Sequence, residues 1–163
     1  MAKNKEEKTN VMRVLEQKKI AYTAHTYPHE EGVAVDGVTV AQSMGFDHAI
    51  VFKTLVARGA SKQYYVFDVP VAESLDLKKA AKAVGEKSIE MLHQKELLPL
   101  TGYVHGGCSP VGMKKLFPTF IDETAQLYDR IMFSGGRIGC QIQTPLSELQ
   151  RVVPVKCVDI TVV

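Results

Sequence analysis

Apolar residues recur at helical spacing through Val11, Val14 and Leu15, which predicts a helix reaching Lys18 with Asn10 as its cap. Ile20 to Tyr27 reads as a strand stopped by Pro28, and His29-Glu30-Glu31-Gly32 as a polar loop. Thr39 to Met44 reads as a short helix closed by Gly45. The clearest strand is Ile50 to Ala57. Gly59-Ala60-Ser61-Lys62 turns it back into a hairpin partner, Gln63 to Val69. Asp76 caps a helix over Leu77, Ala80, Ala81 and Val84, and Gly85 ends it. A short strand over Ile89 to Leu92 and a helical turn over Gln94 to Leu98 follow. Strands are expected again over Thr119 to Asp122, Ile131 to Phe133 and Ile138 to Gln143. Thr144 caps a helix that Pro145 opens and that runs to about Gln150. Val155 to Val163 alternates as a last strand.

Interspersed strands and helices with an antiparallel hairpin indicate an α/β chain of the mixed α+β kind. The expected architecture is a mixed, barrel-like β-sheet surrounded by helices rather than a doubly wound parallel sheet. No P-loop and no GxGxxG follows a strand. The length of 163 residues suits a single domain over 1–163, with residues 1–8 a flexible, solvated tail. A formal charge of +2 is too mild for a nucleic-acid coat protein, and DNA is not expected as a partner. That charge leaves room for one local basic face towards an RNA end. Cys108, Cys140 and Cys157 are odd in number and widely spaced, which fits a reducing cytosol better than a disulfide framework. No apolar run approaches the ~18–20 residues of a spanning helix, and Met1 to Thr9 has no apolar signal-peptide core. A cytoplasmic protein with no membrane partner is therefore expected.

The chemistry gathers around Gly102-Tyr-Val-His-Gly-Gly-Cys-Ser-Pro-Val-Gly-Met-Lys-Lys115. Gly106 and Gly107 have no side chain to hold a ligand away from the main chain, and Ser109-Pro110 pins the backbone just beyond them. Such a loop either cradles an oxyanion, phosphate or carbonyl with backbone dipoles or is a tight turn. Lys53 interrupts the clearest strand on the face of Val51, Leu55 and Ala57. It either blunts a sheet edge or serves as a fixed cation in a partly dry cleft. Tyr27 is a core aromatic or a pocket wall, and Ser134 a turn serine or a pocket hydroxyl. Cys108 with His105 could be a nucleophile pair, without a visible third group. His25, His29, His105 and Cys108 lack the paired spacing of a zinc site, and no metal is expected. Lys78, Lys79 and Lys82 form a solvated helix face, whereas Lys114-Lys115 follow the loop and could meet a phosphate backbone.

Taken together, Phe52-Lys53-Thr54, the segment from Gly102 to Lys115 and Ser134-Gly-Gly-Arg-Ile-Gly139 resemble the YbaK/EbsC family. These are free-standing relatives of the editing domain inserted in bacterial prolyl-tRNA synthetases, and the similarity runs from about Val11 to Val163. The resemblance implies an aminoacyl-tRNA deacylase that removes cysteine from mischarged Cys-tRNA(Pro), and in some members from other cysteinyl-tRNAs such as Cys-tRNA(Cys). It implies no metal and no organic cofactor. The family lysine matches Lys53 and the loop glycine Gly106, the two catalytic positions. Tyr27, Gly107, Pro110, Ser134 and Gln141 are the implied substrate-binding positions. Gln141 departs from the family, which often has an aspartate nearby, and Arg137-Ile138 replaces a Lys-Arg order. The family route is attack by the substrate's own thiol on its ester, which releases a thiolactone. The implied partners are mischarged cysteinyl-tRNA and prolyl-tRNA synthetase. A non-catalytic module that binds aminoacyl-tRNA or a synthetase is the competing reading, and a hydrolase using Cys108 a third.

Overall fold

A computed structural model describes residues 8–162, so nearly all of the expected N-terminal tail, and Val163, lie outside the described residues. In chain order the elements are α1 (Asn10–Gln17), β1 (Thr23–Thr26), α2 (Gly37–Met44), β2 (Phe52–Gly59), β3 (Tyr64–Pro70), α3 (Leu77–Val84), β4 (Ile89–Met91), α4 (Gln94–Thr101), β5 (Thr119–Asp122), β6 (Ile131–Ser134), β7 (Cys140–Thr144), α5 (Leu146–Val152) and β8 (Val155–Val158).

The fold is mixed α/β, as the pattern predicts, but the sheet does not close into a barrel. β1, β7 and β6 form an antiparallel sheet in that order, and β4, β2, β3, β5 and β8 form a separate five-stranded sheet. The second is mixed: β2 is antiparallel to β3 and β4, whereas β3–β5 and β5–β8 are parallel. A lone parallel bridge, Val51 to Met132, joins the front of β2 to β6. β4 pairs with β2 only over Ala57 to Gly59. β3 occupies the other side of β2 throughout. Between the bridge and β4, therefore, residues 53–55 carry no strand on their outer side. This gap between the two sheets is where the site lies.

Strand alternation sends the faces of β2 into different cores. Phe52 and Val56 join Val11 and Leu15 of α1, Val66, Phe133 and Ile142 in the larger cluster. Ala57 packs with Phe67, Phe120 and the Ala80–Ala81 face of α3. Glycines in the left-handed region close α2 and α3, Gly45 at φ 78° and Gly85 at φ 77°.

Two caps differ from expectation. Thr9, not Asn10, caps α1, its hydroxyl accepting from the Met12 N–H at 3.1 Å. Two capping residues stand in succession, and Asn10 is taken by a tertiary contact, donating to the Gly112 carbonyl at 3.1 Å. Thr144 does not cap α5: its hydroxyl donates to the Ala21 carbonyl at 2.8 Å, and Pro145 holds the cap position without a side-chain bond. α4 outlasts its predicted turn and contains Pro99. The last strand ends at Val158, and Thr161 instead bridges to Leu75. No helix among the described residues is long and apolar enough to cross a membrane.

Candidate active site

A cavity of about 270 Å³ opens at the gap beside β2. Val51, Phe52, Lys53, Thr54 and Leu55 all line it. Five consecutive strand residues cannot share a face, so the cavity runs along the strand's uncovered edge. The opposite walls come from the segment leading into α2, from the glycine-rich loop, and from β6 and β7.

Lys53 is half-buried on this edge, and among the described residues its ammonium has no ion-pair or hydrogen-bond partner. The two readings of Lys53 merge, since the edge it occupies is itself a cavity wall. Gly106 also lines the cavity. Its φ is 91°, and a Cβ there would stand 2.7 Å from the Ala34 Cβ, so both backbone conformation and space require glycine. Among the described residues no hydrogen bond engages the Gly106 N–H, whereas the Gly107 N–H closes a turn onto the Val104 carbonyl at 3.0 Å. Gly107 is thus not an available donor. Its place is packing: a Cβ on it would meet the Arg137 Cα at 2.9 Å. Pro110 is buried outside the cavity and lines a separate groove with Lys115 and Phe117. The structure therefore brings Tyr27, Lys53, Gly106, Ser134 and Gln141 to one cavity and leaves Gly107 and Pro110 beside it.

Tyr27 is 5% exposed, and burial raises its pKa against an opposing backbone hydrogen bond from Gly139. The Ser134 hydroxyl accepts from the Gly136 N–H at 3.0 Å, which makes it a turn serine whose own hydrogen is left for the cavity. Gln141 sits on β7 opposite Ser134, and its buried Oε1 has no hydrogen-bond partner among the described residues. Cys108 shares the wall with His105, but burial, and then the nearby Asp68, push its thiol up to about 12. It is a neutral thiol at physiological pH, not a thiolate nucleophile. His25 bonds Gln143 and His29 bonds the Tyr27 carbonyl, and among the described residues no three His, Cys, Asp or Glu gather as a metal-binding group. Lys114 and Lys115 stay exposed and off the cavity, with Lys114 donating to the Pro99 carbonyl at 3.3 Å and Lys115 lying 6.0 Å from the Phe117 ring centre.

Sequence reasoning assigned no role to Thr54 or Asp68. Thr54 lines the cavity, and its hydroxyl donates to Asp68, which is 1% exposed. The signal was present as an acid inside the apolar run Tyr65-Val-Phe-Asp-Val69. Buried acids need a reason, because desolvation penalises the charged form.

Fold and cleft together define a mixed α/β protein with a cation-bearing cavity walled by a glycine loop. Residues 32–152 match the family described as the aminoacyl-tRNA editing domain. EbsC of Enterococcus faecalis, to which Cys-tRNA(Pro)/Cys-tRNA(Cys) deacylase activity is ascribed, is 46% identical over 144 residues, covering 88% of this chain and 87% of that protein. A solved protein described as a trans-editing enzyme for prolyl tRNA synthetase superposes with a TM-score of 0.82 at 25% identity, over 94% of this chain and 96% of its own. The hypothetical protein APE2540 has the same fold, with a TM-score of 0.83 at 17% identity over 94% and 100% of the two chains. The chain belongs to the aminoacyl-tRNA editing domain family, on its YbaK/EbsC branch.

Proposed function

We propose that this protein is a trans-acting aminoacyl-tRNA deacylase that clears cysteine from mischarged tRNA, with Cys-tRNA(Pro) its principal substrate and Cys-tRNA(Cys) a second. The carrying observation is one cavity that joins an unpaired ammonium, an open main-chain N–H and an orphaned buried acceptor. Family membership and the activity ascribed to EbsC support the same reading.

An aminoacyl ester is already activated, so the site has to position and polarise it rather than supply a strong nucleophile. The Gly106 N–H faces the ester carbonyl and stabilises the oxyanion as it forms. Lys53 holds the terminal phosphate or ribose and sets the ester's orientation. The orphaned Gln141 Oε1 accepts from the α-ammonium. Tyr27 and Ser134 close the walls. At about 270 Å³ the cavity is below the usual range of roughly 300–1,000 Å³ for small-molecule pockets. It suits an aminoacyl group better than a whole nucleotide. Size alone separates such side chains by only ~1–3 kcal/mol. Attack by the substrate thiol selects by reactivity instead, because alanine cannot cyclise.

Incubation with cysteinyl- and alanyl-tRNAs of several acceptors, with the released product identified, tests this. Cysteine loss as thiolactone is expected, with alanine retained. Lys53→Ala is expected to abolish release without changing the circular dichroism spectrum. Binding of charged tRNA without turnover would leave a recognition module. Complete loss in Cys108→Ala, with the fold intact, would move the nucleophile to that thiol. The mild charge of +2 leaves tRNA choice to a second protein, and prolyl-tRNA synthetase fills that place in this reading.

A further inference from the structure

Among the described residues, two side chains carry a buried oxygen with no hydrogen-bond partner, Gln141 through Oε1 and Asp68 through Oδ2. Gln141 belongs to the cavity wall, and Asp68 stands behind it. The hairpin register explains what Asp68 does there. Thr54 on β2 lies opposite Asp68 on β3. The Gly59 N–H donates to the Gln63 carbonyl and the Val71 N–H to the Val51 carbonyl. Odd-numbered residues of β2 therefore exchange main-chain bonds with β3, and even-numbered ones point away. Thr54 and Asp68 form a non-hydrogen-bonded pair, the kind whose side chains stand closest. Thr54 Oγ1 and Asp68 Oδ1 are 2.5 Å apart. The hydroxyl of Thr54 thus links a fully buried acid to a residue of the cavity wall.

We propose that Asp68 and Thr54 form a proton-delivery pair for the ribose oxygen that leaves when the aminoacyl ester breaks. The inference rests on the deacylase reading above. With a proton on Asp68 Oδ1, the short contact runs from carboxyl to hydroxyl, and the Thr54 hydrogen turns into the cavity. The bond between the carbonyl carbon and the ribose oxygen breaks, and its electron pair stays on that oxygen. The oxygen takes the Thr54 proton as Thr54 takes the Asp68 proton, leaving a carboxylate. The nucleophile, substrate thiol or water, loses one proton as it bonds the carbonyl carbon. That proton returns through solvent and restores the acid, so the cycle needs no other reactant.

The environment favours the acid form. Burial pushes Asp68 up to about 7, against the opposing Thr54 hydrogen bond. A bare Oδ2 is tolerable as the carbonyl oxygen of a neutral acid and costly as half of a carboxylate. Lys53 flanks Thr54 on β2, Cys108 approaches from the loop, and β5 presents Ile121 opposite Asp68. Tyr27, Asp36 and His105 are the other titratable groups of the cavity wall. Asp68 does not line the cavity, so it is a positioning residue that acts through Thr54.

The test is the pH–rate profile of cysteine release from cysteinyl-tRNA, with spontaneous hydrolysis subtracted. Wild-type kcat is expected to fall as pH rises through about 7. Asp68→Asn should lose that limb and about 10²-fold in kcat, the lower end of general-acid contributions, with KM little changed. Thr54→Val should behave alike, and Thr54→Ser should keep both rate and limb. Wild-type kcat and profile in Asp68→Asn would overturn the pair while leaving the deacylase reading intact. If Asp68→Asn does not fold, equal rates in Thr54→Val and Thr54→Ser overturn it. No release by the wild type overturns both readings.

Discussion

At the scale of single residues, Gly106 carries the strictest requirement. Its left-handed backbone costs any other L-residue about 1–2 kcal/mol, and Ala34 leaves no room for a methyl. Gly106→Ala is expected to lose about 10²–10³ in kcat, the worth of one oxyanion donor. Its melting temperature should fall only as far as the backbone term requires, and parallel kinetics and thermal melts separate the two effects. The candidates Lys53, Gly106, Ser134 and Tyr27 were legible because each stands out locally, as a cation in a strand, one of a glycine pair, a serine before glycines and an aromatic before a proline, whereas Gln141 entered through the family resemblance alone. Gly107 looked equivalent to Gly106, and nothing local distinguishes them. Only the turn that binds its N–H to Val104 does so. Asp68 was passed over because its meaning depends on Thr54, fourteen positions away and adjacent only through the hairpin.

At the scale of elements, periodicity and caps located nearly every helix and strand, and the misplaced caps share one cause. Asn10 and Thr144 have good capping side chains, but each spends its polar group on a distant carbonyl, Gly112 or Ala21. A cap is a local preference, and a tertiary hydrogen bond of similar strength can outbid it. α3 shows the undisturbed case. Asp76 accepts from the N–H groups of Lys78 and Lys79, both at 3.0 Å. Asp76→Ala should cost about 1 kcal/mol, or about 2–4 °C in melting temperature for a chain of this size. Because α3 packs on the Phe67 side of the sheet and not on the cavity, kcat and KM should hold. A change in either would mean that α3 communicates with the site.

At the scale of the molecule, the barrel expected from the sequence is interrupted. Strand patterns specify faces but not closure, and whether two sheets join depends on partners far apart in the chain. One bridge joins them here. Asp68 leaves a signature in global stability. Its pKa is raised in the folded state from 3.8 to about 7, so the folded chain binds more protons than the unfolded one across that window. Stability from this group is complete below the lower value and declines as pH rises through the upper one. Asp68→Asn should therefore gain on the wild type in thermal melts as pH rises from about 4 to about 8. A difference that does not change with pH would place the buried group's titration elsewhere. The interrupted sheet also bears on how the site should be probed. Along the open side of β2, Thr54 offers its own amide and carbonyl to whatever enters, as a neighbouring strand would be offered them. Alanine scanning would leave those atoms in place and so undercount them. Replacing that peptide link with an ester, or following its deuterium uptake with and without an aminoacyl analogue, would reveal a contribution that no side-chain library samples.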